Sequence, residues 1–250
     1  MPRNICIFID GTNMFSGGLD QPLSNIYKLS CMAHDFSKSM RDQLVFYIPG
    51  IGSENKKNLK SSTLFAKDIE YQIKQIYLIL VTNYRQDDSI FLFGYSRGAA
   101  SARAIAYIIE HYGLLKANQV ERLPGIWADL KSFRTHSAPK NDKNYHYPKV
   151  ELLACLDTVI FPTDNRFIRR ILGMSSRTLS HENLNISENV KNAIHLISID
   201  ANERYFPSIP FFGAVSTTTN FMQLLVPGGH GDVGGTKPTV AAYLSLMTIK

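Results

Sequence analysis

Six short apolar runs, separated by longer helical segments, restrict this chain of 250 residues to few folds. They are rich in β-branched and aromatic residues and cover residues 5–9, 43–48, 89–93, 151–156, 193–199 and 222–226. Strands that are apolar on both faces are typical of a parallel sheet with helices on each side. Apolar residues recur at helical spacing in residues 26–36, 63–84 and 97–112, which predicts helices that connect the first strands. We therefore predict an α/β fold with a doubly wound, mostly parallel sheet.

The length fits one hydrophobic core, so we expect a single domain over residues 1–250. Two long segments interrupt the alternation of strands and helices. Residues 115–148 are polar and follow the third helix, and residues 161–189 are basic and apolar and follow the fourth strand. Both are expected at the carboxyl ends of the strands, where such sheets place their sites. We predict that they form a cap over a pocket.

The strongest local signal is Gly94-Tyr95-Ser96-Arg97-Gly98, which follows the third apolar run and opens a helix. A G-x-S-x-G pattern alone is weak, since about one chain in ten of this length contains it by chance. Between a strand and a helix it predicts a sharp turn that presents a serine at the carboxyl edge of the sheet, with glycines that avoid steric clashes. We expect Ser96 to be a nucleophile beside a helix N-terminus that favours an oxyanion.

A nucleophilic serine needs a general base, and the base needs an orienting acid. In α/β-hydrolases the acid and then the histidine follow the serine along the chain. His230 has the most suitable surroundings, because it lies among five glycines just beyond the last apolar run. His195 lies inside an apolar run, and we expect it to be a core residue.

Two aspartates compete for the role of acid. Asp157 follows the fourth apolar run and Asp200 follows the fifth. The strand before the histidine strand is the commoner donor, which favours Asp200. However, Glu203 and Arg204 lie close to Asp200 and suggest a structural ion pair. The residues by themselves leave the two aspartates as equal alternatives.

An oxyanion hole in this fold uses the N–H of the residue after the nucleophile, here Arg97, and a second N–H from a neighbouring loop. A right-handed wind places the first strand beside the Ser96 strand. The second donor is therefore expected to be the N–H of Gly11 or Thr12, which follow the first strand. We expect Asp10 to brace this loop through hydrogen bonds, and Arg103 in the following helix to be structural.

Several motifs in a fixed order resemble a known family. They are Phe8-Ile9-Asp10-Gly11-Thr12, Tyr47-Ile48-Pro49-Gly50-Ile51-Gly52, Phe91-Leu92-Phe93-Gly94-Tyr95-Ser96-Arg97-Gly98-Ala99, Leu156-Asp157-Thr158-Val159, Asp200 with Glu203-Arg204 and Phe206-Pro207, and His230-Gly231-Asp232-Val233-Gly234-Gly235. Together they resemble the catalytic domain of the first family of bacterial type VI secretion phospholipase effectors. Leu156 and Thr236 depart from that family, which often has aromatic residues at these positions.

The resemblance implies an α/β-hydrolase with phospholipase A-type activity. It implies a triad of Ser96, Asp157 and His230, and so selects Asp157 over Asp200 as the acid. It further implies membrane phospholipid or another acyl ester as substrate, and an immunity or secretion partner.

Cysteine usage and hydropathy indicate which bound groups and which cellular location to expect. The three cysteines, Cys6, Cys31 and Cys155, lie in apolar stretches without metal-ligand spacing, so we expect buried free thiols, no metal and no cofactor. No apolar run approaches the roughly 18 residues of a membrane span, and the first run is too short for a signal peptide. We expect a cytoplasmic chain, exported if at all by a non-classical, type VI route.

The net charge of +6 favours acidic partners such as anionic lipid head groups. The chain has no basic run and no basic motif interleaved with aromatic residues, so we expect no nucleic-acid partner. The motifs predict a serine acyl-hydrolase, and the resemblance implies that it cleaves glycerophospholipid esters. Two alternatives are a soluble carboxylesterase or thioesterase with the same triad, and an inactive α/β-hydrolase-like module used for binding.

Overall fold

A computed structural model describes residues 1–12, 14, 23–35, 41–51, 62–132, 142–160, 171, 185–201, 208–211 and 217–249. Its centre is a six-stranded sheet in which every pair of neighbours is parallel. The strands are β1 (Asn4–Ile9), β2 (Gln43–Ile48), β3 (Ser89–Tyr95), β6 (Val150–Leu156), β7 (Val190–Ser198) and β8 (Asn220–Val226), in the spatial order β2-β1-β3-β6-β7-β8. The short strands β4 (Leu114–Leu115) and β5 (Tyr145–His146) form a separate antiparallel pair.

Helices cover both faces of this sheet. They are α1 (Asn25–Asp35), α2 (Ser62–Asn83), α3 (Arg97–Tyr112), α4 (Leu123–Ser132), α5 (His230–Val233) and α6 (Val240–Ile249), with a 3-10 helix at Ala117–Arg122. Strand β1 shows why its run is apolar throughout. Ile5, Ile7 and Ile9 pack into the core under α2 and α3, whereas Cys6 and Phe8 pack into the core under α1 and α5. The predicted doubly wound parallel sheet is confirmed.

The strand order reverses between β1 and β3. The chain first moves outward from β1 to β2 and then returns to place β3 on the other side of β1. The loops after β1 and β3 therefore diverge at the carboxyl edge, which is where open α/β sheets bind their ligands. Ser96 follows β3 and Gly11 follows β1, so both lie at this point.

The described part of the segment 115–148 packs away from this point. Trp127 of α4 stacks edge-on against Tyr77 of α2, with ring centroids 5.3 Å apart. His146 of β5 contacts Tyr84, which lies just before β3 and hence at the amino edge of the sheet. These residues cover α2 and the amino edge, because α4 has apolar side chains that complete the core on α2. Residues 133–141 of the expected cap segment lie outside the described residues, and the cap over Ser96 stays a prediction.

The second expected cap segment, residues 161–189, lies almost entirely outside the described residues. Ile171 is buried in the core, and residues 185–189 lead into β7. Among the helices that the structure describes, none combines the length and the apolar character that a membrane span requires.

The three cysteines are free thiols, as predicted. Cys6 and Cys155 are buried, but Cys31 is exposed, so the prediction of burial is wrong for Cys31. Apolar residues lie on both sides of Ser30 and Cys31 in the sequence, yet the helical spacing of α1 turns Cys31 outward.

Candidate active site

Ser96 lies on the sharp turn between β3 and α3. Its backbone has φ 57° and ψ −122°, a conformation that non-glycine residues rarely adopt and that stores strain. The flanking glycines make the turn sterically feasible. A methyl group at Gly94 would lie 2.5 Å from Cα of Ala99, and one at Gly98 would lie 2.2 Å from the carbonyl oxygen of Ile9. The predicted strand–serine–helix turn is therefore present.

The structure brings Ser96, His230 and Asp157 together in one series of hydrogen bonds. Nε2 of His230 lies 2.9 Å from Oγ of Ser96. Nδ1 of the same ring lies 2.7 Å from Oδ2 of Asp157. His230 is the first residue of α5 and Asp157 directly follows β6, so three separate elements converge at the carboxyl edge.

Asp157 is fully buried and has a positive φ of 44°. Besides His230, its carboxylate accepts hydrogen bonds from the N–H of Ser198 at 3.0 Å, from Oγ of Ser198 at 2.7 Å and from Oγ of Ser208. Burial alone would raise the pKa of Asp157, but the hydrogen bonds from His230, Ser208 and Ser198 outweigh it and the pKa lies below its ordinary value. The carboxylate is thus held ionised although it is shielded from water.

Asp200, the alternative acid, has a different setting. It is exposed, its Oδ2 accepts the N–H of Gly228 at 3.0 Å, and its own N–H donates to the carbonyl of Gly228 at 3.1 Å. These bonds close the loop that leads to His230. Asp200 therefore holds backbone, whereas Asp157 holds the imidazole.

Tyr95 packs against the imidazole of His230. Its ring stacks on His230 with centroids 4.9 Å apart and planes inclined by 30°, and its hydroxyl donates to the carbonyl of His230 at 3.1 Å. Gly234 permits this contact, since a methyl group there would lie 2.1 Å from the tyrosine ring. Asp232 secures the start of α5 by accepting the N–H of Gly229 at 2.9 Å. Sequence reasoning missed Tyr95, although a large aromatic residue directly before the serine was visible in the motif.

The loop after β1 lies against Ser96, as expected of an oxyanion loop. A methyl group at Gly11 would lie 3.3 Å from Cβ of Ser96. However, the N–H of Gly11 donates to Oδ1 of Asp10 at 2.7 Å. The second oxyanion donor stays a prediction: Gly11 gives close approach while its N–H bonds Asp10, and the N–H of Thr12 is the alternative from the same loop.

Asp10 braces the loop, as the sequence suggested. It is buried, and besides the Gly11 N–H its carboxylate accepts hydrogen bonds from Ser24 and from the hydroxyl of Tyr47, the latter at 2.7 Å. Burial raises the pKa of Asp10, and these hydrogen bonds oppose the shift. The side chain of Arg97 is also buried, which lowers its pKa to about 10. Its backbone N–H lies at the N-terminus of α3, where the oxyanion donor was expected.

Comparison with known proteins shows the family of this chain. A sequence model of the family described as "T6SS, Phospholipase effector Tle1-like, catalytic domain" matches residues 3–250. The chain belongs to this family. The resemblance drawn from the motifs is thereby confirmed.

Several relatives of this Tle1-like domain are longer proteins. The uncharacterized protein YEL023C of Saccharomyces cerevisiae is 32% identical over 158 residues, which are 57% of this chain and 22% of that protein. A crystal structure of an uncharacterized protein from Pseudomonas aeruginosa has a TM-score of 0.54 at 15% identity and shares the fold over 99% of this chain and 45% of its own. The structure of the Tle1 effector bound to the VgrG spike of the Type 6 secretion system has a TM-score of 0.48 at 20% identity. That match covers 96% of this chain and 53% of the effector chain.

In this Tle1-like domain the arrangement is suited to moving a single proton. An imidazole whose Nδ1 faces an ionised carboxylate keeps Nε2 available to accept a proton from a hydroxyl. The helix N-terminus behind Ser96 favours negative charge next to that hydroxyl. Within the described ranges no group of three or more histidine, cysteine, aspartate or glutamate side chains is placed to hold a metal ion.

Proposed function

We propose that this Tle1-like domain is a serine acyl-hydrolase of phospholipase A type, which cleaves a carboxylic ester of a glycerophospholipid through an acyl-serine intermediate. The proposal rests on the hydrogen bonds that join Ser96, His230 and Asp157. Oγ of Ser96 lies 2.9 Å from Nε2 of His230, whose Nδ1 lies 2.7 Å from the buried carboxylate of Asp157. Membership of a phospholipase effector family supports a lipid ester as the substrate.

In the first half-reaction, Oγ of Ser96 attacks the ester carbonyl carbon while Nε2 of His230 takes the hydroxyl proton. Asp157 stabilises the imidazolium and keeps Nδ1 protonated. The tetrahedral intermediate then breaks its bond to the leaving alkoxide, which receives the proton from Nε2. The acyl group remains on Ser96 and the lysophospholipid departs.

In the second half-reaction, Nε2 of His230 accepts a proton from water as the water oxygen attacks the acyl-serine carbon. The intermediate expels Oγ of Ser96, which regains its proton from the imidazolium, and the fatty acid is released. In both intermediates we assign the negative oxygen to the backbone N–H groups of Arg97 and Thr12, at the N-terminus of α3 and on the loop after β1.

The substrate surface and the route of delivery are extensions of the same proposal. The net charge of +6 favours an anionic bilayer over a neutral one. The family description names effectors of the type VI system, and we accordingly propose export by that route, with a secretion or immunity protein as partner.

The test compares liposomes of phosphatidylglycerol and phosphatidylcholine with the soluble ester p-nitrophenyl butyrate. We expect release of fatty acid and lysophospholipid from the liposomes, and a loss of about 10⁴-fold or more for Ser96→Ala. Ser132→Ala, which removes an exposed serine hydroxyl of α4, is the matched control and should retain full activity. Hydrolysis of the soluble ester alone would instead identify a carboxylesterase. No Ser96-dependent hydrolysis of any ester would favour a binding module.

A further inference from the structure

His195, which the proposed reaction does not use, is bound to the turn that carries Asp157. The ring is fully buried in β7. Its Nε2 lies 3.1 Å from Oγ1 of Thr158 and 3.4 Å from the N–H of Thr158. Thr158 directly follows Asp157, so one imidazole contacts both the backbone N–H and the hydroxyl of the residue that continues this turn.

The other ring nitrogen fixes the tautomer. Nδ1 of His195 lies 3.0 Å from Oε1 of Gln223, and the same oxygen accepts the N–H of Phe211 at 2.9 Å. An amide oxygen can only accept, so Nδ1 of His195 carries the hydrogen and Nε2 is an acceptor for Thr158. Burial lowers the pKa of His195 to about 3, which keeps the ring neutral.

The same network holds the segment that contributes Ser208. The N–H of Ile209 donates to the carbonyl of Thr158 at 2.8 Å, and Nη1 of Arg103 donates to the carbonyl of Ile209 at 3.0 Å. The guanidinium of Arg103 lies 3.9 Å from the centre of the Phe211 ring, which also contacts His195 edge-on at 5.3 Å. Residues 208–211 are therefore held by Asp157 and Thr158 of the turn and by Arg103 and Gln223 beside it.

These contacts hold a backbone conformation that is uncommon. Asp157 has a positive φ of 44°, which few non-glycine residues adopt, although aspartate tolerates it better than most. If the turn relaxed, the carboxylate would rotate away from Nδ1 of His230. We propose that His195 is a positioning residue: by holding Thr158 it keeps the strained Asp157 turn in the orientation that the acid of the triad requires. This inference rests on the proposed hydrolase function.

The test is a double-mutant cycle between His195 and Asp157. His195→Leu removes both ring nitrogens and should lower kcat for p-nitrophenyl butyrate by about 10- to 100-fold, as loss of a residue that orients a catalytic group typically does, with KM nearly unchanged. In the Asp157→Asn background, the same change should alter kcat less than about twofold, because the residue through which His195 acts is already lost. His195→Gln, whose amide can accept from Thr158, should recover most of the activity.

His111→Leu is the matched control, because His111 lies at the end of α3, where it stacks on Tyr107. His111→Leu should leave kcat unchanged in both the wild-type and the Asp157→Asn background. If His195→Leu fails to fold, Thr158→Val removes the donor hydroxyl instead and should show the same non-additivity.

Equal losses in both backgrounds would overturn the inference, since they would indicate a general effect of the core. An unchanged kcat for His195→Leu would overturn it as well. Both outcomes leave the proposed function standing. A wild type without Ser96-dependent hydrolysis would instead reject the proposed function and this inference together.

Discussion

Neighbouring strands β6 and β7 each deliver an aspartate to the same edge of the sheet, and the two carboxylates have opposite surroundings. Asp157 is fully buried and accepts hydrogen bonds from His230, Ser198 and Ser208. Asp200 is exposed and bonds the backbone of Gly228. Both aspartates follow the end of a strand, Asp157 directly after β6 and Asp200 two residues after the last residue of β7. The surrounding donors, rather than the strand end, give a carboxylate its role.

The largest expected effect comes from Asp157→Asn. The amide would present an N–H or an uncharged oxygen to Nδ1 of His230 and would no longer stabilise an imidazolium. We expect kcat/KM for p-nitrophenyl butyrate to fall by about 10⁴-fold, as for loss of the acid in serine hydrolase triads. A thermal melt of the variant shows whether the fold is retained. A folded variant with more than a tenth of the wild-type rate would break the contrast between the two aspartates.

An intermediate effect is expected in the dependence of stability on pH. The pKa of Asp157 is lowered in the fold from an ordinary value of 3.8, so the ionised form is the one that the native state favours. Its contribution is complete above about pH 5 and is lost as the pH falls below 4 and through the lowered pKa.

Urea unfolding of wild type and Asp157→Asn between pH 7 and pH 3 measures this contribution. The difference in unfolding free energy should shift against the wild type as the pH falls below about 4. A difference that stays the same over the whole range would contradict the assignment of a stabilised carboxylate.

The smallest effect is expected for Asp200→Asn. The amide oxygen of the variant can still accept the N–H of Gly228, so the loop before His230 should persist. We expect kcat/KM to change by less than about fivefold, in line with an exposed side chain outside the reacting groups. A loss of kcat/KM comparable with that of Asp157→Asn would show that Asp200 contributes to the chemistry. The two aspartates would then no longer differ in role.

The sheet was predictable because its physical requirement is local. A parallel strand covered by helices on both sides buries side chains on both of its faces, and β1 does so by giving Ile5 and Ile7 to one core and Cys6 and Phe8 to the other. The strand–serine–helix turn was predictable for the same reason, since Gly94 and Gly98 are required by contacts within a few residues of the turn or on the adjacent strand.

Features that depend on distant contacts were not predictable from the residues alone. Nothing near Ser208 in the sequence signals that its hydroxyl reaches Asp157, 51 residues away. Nor does the motif around Gly11 show that Asp10 takes its N–H. Nor does the polar composition of the segment 115–148 show that Ile126 and Leu130 bury one side of α4 in the core formed with α2. Composition predicts what a segment can bury and not where it finds its partner.

The most direct measurement is the intact mass of the protein after reaction with a fluorophosphonate, followed by peptide mapping. The account predicts one adduct, on Ser96, with labelling that is lost in Ser96→Ala and slowed by orders of magnitude in His230→Ala. An unlabelled wild type that is folded, or an adduct on another serine that survives Ser96→Ala, would contradict the claim that His230 and Asp157 activate this hydroxyl.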